Sequence, residues 1–223
     1  MRIGDIALVY IIDDDRDVRV SLEAILSRQG YKVQTFASAD QFLANCEMET
    51  ASCVLADVRM PGIDGLQLQE LITERSIPAS TVMITGYADV PLAVQAIKVG
   101  AIDILQKPFS SSHILSVIPL ALEDAKRKLK FFREQRRARE LLGLLTRREQ
   151  DVAELVVQGY ASKEIAEKLR LSPRTVEYHR ARLMSRLQIS TVPALIKIIS
   201  AAQPRQFASK PRPSLRSLPD LEE

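Results

Sequence analysis

IALVYIIDDD, residues 6–15, is a continuous apolar and β-branched run that stops at three acids. Such a run is typical of a strand buried on both faces of a parallel sheet. A helical pattern closed by Gly30 follows, and the alternation of strand and helix then repeats up to residue 122. Five such units predict an α/β fold with a doubly wound, five-stranded parallel sheet and helices on both faces.

Polar side chains stand where four of the predicted strands stop. Asp13 and Asp14 follow the first strand, Asp57 the third, Thr85 the fourth and Lys107 the fifth. Because parallel strands end at one edge of the sheet, these side chains are expected to converge. Three neighbouring carboxylates repel each other and call for a hard divalent cation, Mg²⁺ or Mn²⁺. Asp57 then becomes the nucleophile for phosphoryl transfer, with Lys107 and the Thr85 hydroxyl on the phosphoryl oxygens.

Four segments within residues 6–122 resemble the receiver domain of FixJ-type response regulators: VYIIDDDRDVR, LADVRMPGIDGLQL, VMITGYADVPLAVQAIKVGA and QKPF. The resemblance implies a flavodoxin-like receiver phosphorylated on Asp57 by a sensor histidine kinase. It implies that Asp13, Asp14, Asp57 and the backbone carbonyl of Arg59 hold the metal.

The same resemblance gives Thr85 and Lys107 the roles of switch and phosphate-contact residues. The Lys107–Pro108 peptide bond is predicted to be cis, which would aim the lysine into the site. Ile104 departs from the family pattern, because an aromatic ring that swings inward on activation often stands at that position. The resemblance therefore implies the movement of Thr85 itself but no relay from Thr85 to an aromatic ring.

Two other functions fit part of the sequence. Asp13-x-Asp15 after a strand also fits the nucleophile loop of haloacid-dehalogenase phosphatases, but that interpretation gives no role to Asp57 or to the turn at 60–62. A DNA-binding protein with a merely structural receiver is the other alternative, and a phosphorylation assay separates it. A free-standing enzyme would need a second set of acid and base residues, and the sequence shows none.

Charge is divided unevenly along the chain, whose net charge is +3. Residues 1–118 hold 9 basic against 15 acidic side chains, whereas residues 119–223 hold 22 against 13. A basic half suits a polyanion such as nucleic acid. The two cysteines have no metal-ligand spacing and no apolar stretch reaches the length of a membrane span, so a soluble cytoplasmic protein without membrane contact is expected.

The second half predicts a linker, a helical domain and a tail. The predicted divisions are a receiver at 1–122, a charge-dense helical linker at 123–143, an all-helical domain at 144–202 and a disordered, proline-rich tail at 203–223. One apolar stripe with 4-3-4-3 spacing crosses the linker and fits either a coiled-coil seam or packing on the receiver. It consists of Ile118, Leu122, Ala125, Leu129 and Phe132.

Residues 144–200 predict a helix-turn-helix. Thr146 and Glu149 form a capping box, Ser162 is predicted to cap the next helix, and Pro173 opens a third. The segments LTRRE, EIAEKLRLSPRTVEYHR and LMSRL resemble the LuxR-type DNA-binding domain. The resemblance implies that a last helix at 193–200 packs the domain and helps dimers form on DNA.

The third helix is expected to enter the major groove of double-stranded promoter DNA. Helix geometry places four residues opposite its core stripe, with Glu177 beside them: Arg174, Tyr178, Ala181 and Ser185. Glu177 and Ala181 are predicted to read bases, while Lys163, Thr175 and Arg182 hold the phosphate backbone. A homodimer formed on phosphorylation is expected, with RNA polymerase as a further partner.

Overall fold

The computed structural model describes residues 7–86 and 90–203 of the chain. The chain divides into two compact units, Met1–Arg137 and Ala138–Glu223, and the division falls within one helix. Residues 204–223, nearly all of the predicted tail, lie outside the described residues. None of the helices in the described ranges combines the length and apolarity that crossing a membrane requires.

The first unit contains a five-stranded parallel sheet, as the sequence predicts. Its strands are β1 (Leu8–Ile12), β2 (Lys32–Phe36), β3 (Ser52–Asp57), β4 (Ala79–Thr85) and β5 (Asp103–Gln106). They lie in the order β2-β1-β3-β4-β5, and each neighbouring pair is parallel. The strand order reverses between β1 and β3, the position at which doubly wound sheets form their binding sites.

Helices connect successive strands and enclose the sheet between two apolar layers. They are α1 (Arg16–Arg28), α2 (Ala39–Asn45), α3 (Gly65–Glu74), α4 (Val90–Val99) and the first part of α5 (Ser111–Gly143). Alternate residues of β1 point to opposite layers, because successive strand side chains alternate in direction. Val9 and Ile11 pack in one cluster with α1 and α5, whereas Tyr10 packs in the other with α2 and α3.

Helix α5 is longer than the sequence analysis predicts. The predicted helical linker at 123–143 is continuous with the last helix of the receiver, and the two form one uninterrupted element. Ile118 and Leu122 belong to the receiver core, and Ala125 is fully buried. The coiled-coil interpretation is therefore wrong for these three residues, because they are already buried within their own chain and have no free surface to offer a partner.

Polar contacts also fasten α5 to the end of the sheet opposite the acid cluster. The Ser80 hydroxyl donates to Asp124 Oδ2 at 2.7 Å, and Lys128 Nζ donates to the Ala79 carbonyl at 3.1 Å. Burial acts to raise the pKa of Asp124, but the Ser80 bond and the Lys128 charge outweigh it and hold that pKa below its ordinary value. The ionised form of Asp124 is therefore part of the folded state.

The second unit contains the end of α5 and four further helices within the described residues. These are α6 (Arg147–Val157), α7 (Ser162–Leu169), α8 (Pro173–Arg186) and α9 (Val192–Ala202). The predicted capping box is confirmed: Thr146 N donates to Glu149 Oε2 at 2.8 Å, and Glu149 N donates to Thr146 Oγ1 at 3.3 Å. Arg186 reaches the buried Glu149 from α8, with 3.3 Å between Nε and Oε1. This pair ties the third helix of the domain to the first.

Candidate phosphoryl-acceptor site and DNA-binding surface

Three acids meet at the carboxyl edge of the sheet. Asp13 follows β1, Asp57 ends β3, and Asp14 lies beside Asp13. One carboxylate oxygen from each lies within 4.8 Å of the others. Asp13 is fully buried and Asp57 is 8% exposed, whereas Asp14 is open to solvent. The convergence expected from parallel strands is therefore present, and Asp14 is the member that a ligand reaches first.

Lys107 supplies the counter-charge. Its Nζ donates to Asp57 Oδ2 at 2.6 Å and to Asp13 Oδ2 at 2.8 Å. Burial acts to lower the pKa of Lys107, but the bonds to both acids prevail and raise it. Burial also raises the pKa of Asp13 more strongly than the Lys107 bond lowers it. One ammonium cannot neutralise three carboxylates, so the site keeps a negative charge that favours a cation.

Backbone contacts fix the direction of Asp57. Arg59 N donates to Asp57 Oδ1 at 2.8 Å, which leaves Oδ2 facing Lys107. Gly65, the first residue of α3, donates its N–H to the Val58 carbonyl at 3.0 Å. A side chain at Gly65 would lie 3.0 Å from Val58 Cα and nearer still to the Asp57 carbonyl. Only glycine lets α3 start this close to the acceptor strand.

Thr85 lies at the neighbouring strand end. It is almost fully buried, and its carbonyl accepts the Lys107 N–H at 2.7 Å, so the two residues are joined through their backbones. The Lys107–Pro108 peptide bond is cis, as predicted. Ile104 packs partly buried beside Met83 and Ala96, and it fills the position of the aromatic ring with an aliphatic side chain.

Asp15 has a structural role that favours the receiver interpretation over the haloacid-dehalogenase phosphatase alternative. Its carboxylate caps α1 by accepting the Asp17 N–H at 2.8 Å, and its own N–H donates to Asp13 Oδ1 at 2.9 Å. In the phosphatase alternative Asp15 would be a second catalytic acid beside Asp13. Here the capping bond occupies it, while Asp57 holds the place next to Lys107.

Arg19 is a site residue that the sequence analysis missed. Its Nη1 donates to the Asp13 carbonyl at 2.6 Å and to the Asp14 carbonyl at 3.0 Å. The guanidinium therefore fixes the backbone that carries both acids and adds a positive charge behind them. The only sequence signal was an arginine within the second turn of α1, and that position alone does not show which groups it reaches.

The donor set at this edge fits a hard cation. Its side-chain oxygens are all carboxylates, and the described residues bring no histidine or cysteine into the group. Mg²⁺ and Mn²⁺ prefer oxygen ligands and keep several waters, which suits a site with one exposed member. The two cysteines lie elsewhere, and burial raises the pKa of Cys53 to about 12.

The helix-turn-helix exposes the predicted face of α8. Val176 and Leu183 are buried on its inner side, while the residues predicted for the outer face are all exposed. Those residues are Arg174, Glu177, Tyr178, Ala181, Arg182 and Ser185. Lys163 on α7 is also exposed, whereas Thr175 is half-buried. Thr175 N donates to the Ser172 hydroxyl at 3.1 Å, which makes Ser172 the N-cap of α8.

The predicted cap of α7 is wrong. Ala161 is the N-cap residue and has no capping side chain, so the Glu164 carboxylate accepts the Ala161 N–H at 2.7 Å instead. Ser162 lies one position inside the helix, where its hydroxyl faces α8 rather than the backbone. It bonds there with Glu177 and Arg180.

Comparison with known proteins identifies the family of each half of the chain. The family model "Response regulator receiver domain" matches residues 9–119, and "Bacterial regulatory proteins, luxR family" matches residues 143–199. FixJ of Bradyrhizobium diazoefficiens is 35% identical over 87% of this chain and 95% of its own length. TdiR of Thauera aromatica is 36% identical over 88% of this chain and 86% of its own length.

Solved structures give the same result. The response regulator StyR is 34% identical over 87% of this chain and 98% of its own, with a TM-score of 0.67. Full-length FixJ from B. japonicum is 34% identical over 89% of this chain and 98% of its own, with a TM-score of 0.53. Fold, site and comparisons define a phosphorylation-controlled, DNA-binding transcriptional regulator. The chain belongs to the FixJ-type response regulators, in which a receiver domain precedes a LuxR-type helix-turn-helix.

Proposed function

We propose that Asp57 is the phosphorylated residue of this regulator and that a sensor histidine kinase is the donor. The observation that carries the proposal is the cluster of Asp13, Asp14 and Asp57 within 4.8 Å, with Lys107 bonded to Asp57 at 2.6 Å. A nucleophilic carboxylate beside a cation and a metal-binding acid pair is what phosphoryl transfer to an aspartate needs.

Transfer begins when an Asp57 oxygen attacks the phosphorus of the donor's phosphohistidine. The O–P bond forms as the N–P bond breaks, and the electron pair leaves with the imidazole. Lys107 then exchanges its bond to Asp57 for one to a phosphoryl oxygen, and the Thr85 hydroxyl moves in to contact another. Water then attacks the phosphorus of the acyl phosphate in the same pocket, the bond between phosphorus and the Asp57 oxygen breaks, and inorganic phosphate leaves the free carboxylate behind. The chain thus catalyses its own dephosphorylation without being a free-standing enzyme.

The metal of this site is proposed to be Mg²⁺, or Mn²⁺ in its place. Asp13, Asp14, Asp57 and the Arg59 carbonyl would hold it, with Asp14 as the most accessible ligand. A bound ion would neutralise charge on the transferring phosphoryl oxygens. Arg19 keeps the backbone of the acid pair in place from behind.

Mass spectrometry of the intact chain after treatment with a small phosphodonor and Mg²⁺ tests the acceptor. Asp57→Asn should abolish the single phosphoryl adduct. Asp15→Asn should retain it, because asparagine also caps helices. An undiminished acyl phosphate on the Asp57→Asn protein would refute the assignment, and loss of the adduct in Asp15→Asn alone would favour the phosphatase alternative.

Phosphorylation is proposed to promote homodimerisation through the receiver surface that follows Thr85. Val90, Val94 and Ile97 lie at i, i+4 and i+7 on α4 and expose 76%, 46% and 50% of their surface. An apolar row of this kind in water favours association with another surface. Sedimentation before and after phosphorylation should show monomers becoming dimers, and a dimer that is complete without phosphate would contradict the switch.

DNA recognition is proposed to use the outer face of α8 in the major groove. Arg174, Glu177, Tyr178 and Ala181 would approach base edges, and Glu177 could accept a hydrogen bond from a cytosine amino group. The cations Lys163 and Arg182, with Thr175, would hold phosphates. The exposure of this face opposite the buried Val176 and Leu183 supports the proposal.

Binding of two variants to a randomised duplex library separates these roles. Glu177→Ala should relax one base position at a cost of about 1–3 kcal/mol on the preferred sequence. Lys163→Ala should weaken all sequences alike and reduce the salt slope by about one unit. Base preference that is unchanged at every position in Glu177→Ala would remove that residue from the reading face.

The proposed division of labour is a receiver at 1–122, a linker at 123–143, a DNA-binding domain at 144–202 and a tail at 203–223. We place its action in the cytoplasm, on promoter DNA, with RNA polymerase as a partner at the regulated promoter. The matched family of DNA-binding regulators supports this setting.

A further inference from the structure

A polar bridge connects the two helices of the DNA-binding motif. Ser162 on α7 donates its hydroxyl proton to Glu177 Oε1 on α8. Arg180, three residues further along α8, donates from Nη1 to the same hydroxyl oxygen at 3.1 Å. The three side chains form the order Arg180–Ser162–Glu177, which we call the α7–α8 bridge.

The direction of the bridge is fixed by the chemistry of the hydroxyl. Ser162 has one O–H donor, and its oxygen already accepts from the Arg180 guanidinium, so the proton points to the Glu177 carboxylate. A donor that is itself polarised by a cation makes a stronger bond to an anion. The guanidinium therefore offsets part of the Glu177 charge through the hydroxyl, although no direct Arg180–Glu177 contact is present among the described residues.

Glu177 lies where an unrestrained glutamate side chain would be mobile and where its charge would be repelled by DNA. Its side chain is exposed on the face proposed to enter the groove, where DNA phosphates repel a carboxylate. The bridge holds Oε1, so the side chain is restrained before DNA arrives and Oε2 stays free of other partners among residues 7–86 and 90–203. A restrained reader loses less side-chain entropy on binding and accepts a base donor in one geometry.

We infer that Ser162 is a positioning residue for base selection: it holds the Glu177 carboxylate, with Arg180 behind it, in the orientation that reads one base pair. This inference rests on the proposed reading role of Glu177. It gives α7 a part in sequence preference through a residue that itself contacts no base. It also explains why the Ser162 hydroxyl is used between helices although α7 lacks a capping side chain.

The test compares base preference in full-length, phosphorylated protein on a randomised duplex library. Ser162→Ala should lower discrimination at the position that Glu177→Ala relaxes, by about two- to tenfold, the worth of one net hydrogen bond. Affinity for non-preferred duplexes and the salt slope should stay unchanged. Ser162→Thr keeps the hydroxyl and should restore the preference, while Ser190→Ala, at an exposed serine outside the bridge, should match wild type.

Arg180→Gln gives a second approach to the bridge if Ser162→Ala lowers the melting temperature of the domain. It should relax the same position, and the double variant Ser162→Ala/Glu177→Ala should be no less selective than Glu177→Ala alone. Relaxation by Glu177→Ala without any change in Ser162→Ala and Arg180→Gln would overturn the bridge only. No change in any of the three variants would overturn the reading role of Glu177 and the bridge with it.

Discussion

Gly65→Ala is expected to impair phosphorylation without touching any charged group of the site. The new methyl carbon would lie 3.0 Å from Val58 Cα and 3.1 Å from the Asp57 carbonyl carbon, both of them backbone atoms. Carbon atoms pack at about 3.5–4.0 Å, so α3 or the end of β3 must move by about half an ångström or more. The acceptor residue sits on the part of the chain that has to move.

The expected loss follows from that displacement. Misplacing a reacting group by about 1 Å costs about a hundredfold in rate, so a shift of about half that size should slow Asp57 phosphorylation about tenfold or more. Overpacking of this kind also destabilises a fold by about 1–3 kcal/mol. The rate loss should persist well below the melting temperature, because it comes from geometry and not from unfolded protein.

The assay follows the acyl-phosphate adduct by intact-mass spectrometry against time, with thermal melting of the same samples. Gly143→Ala is the matched control, because nothing lies within 4 Å of the position that its methyl group would take. Wild-type rate and melting temperature in the Gly65→Ala protein would refute the reasoning. Equal losses in both variants would assign the effect to glycine replacement in general.

Three further predictions concern charged groups of the receiver. Asp14→Ala should weaken Mg²⁺ binding by more than about tenfold in calorimetric titration, and unchanged affinity would place the ion elsewhere. Asp124→Asn should lower the free energy of unfolding at pH 7 by about 1–3 kcal/mol. Because the folded-state pKa of Asp124 is depressed, the difference in unfolding free energy between wild type and variant should be full above about pH 5 and should fade as the pH falls through that pKa. A difference that stays constant from pH 7 to 2 would contradict the ionised bond to Ser80. Arg19→Gln should weaken Mg²⁺ binding and slow phosphorylation, whereas Arg16→Gln, at an exposed position nearby, should do neither. Equal behaviour of the two variants would show that the contacts of Arg19 with the carbonyls of Asp13 and Asp14 do not organise the acids.

Much of the receiver follows from local pattern alone. Short runs rich in apolar residues between helical segments predict the strands, and parallel connections force their carboxyl ends to one edge. The meeting of Asp13, Asp57 and Lys107 could therefore be predicted, although 94 positions separate the first from the last. The helix-turn-helix could be predicted equally well, because its capping box and its turn are each formed by residues that are close together in the sequence.

The sequence could not determine which of several possible contacts a side chain makes when its local pattern fits each of them. Ser162 could cap a helix or bond across to Glu177, and the two outcomes differ only in which group lies within hydrogen-bond distance after folding. The spacing of Ile118 and Leu122 fits a coiled-coil seam and a receiver core equally well, and in the structure both residues pack in the receiver core. Arg19 lies near the start of α1, but that position does not show that its side chain reaches the backbone carbonyls of Asp13 and Asp14. Periodicity fixes the face on which a side chain lies, but its partner depends on three-dimensional distances between segments far apart in the chain, and those distances exist only once the tertiary structure has formed.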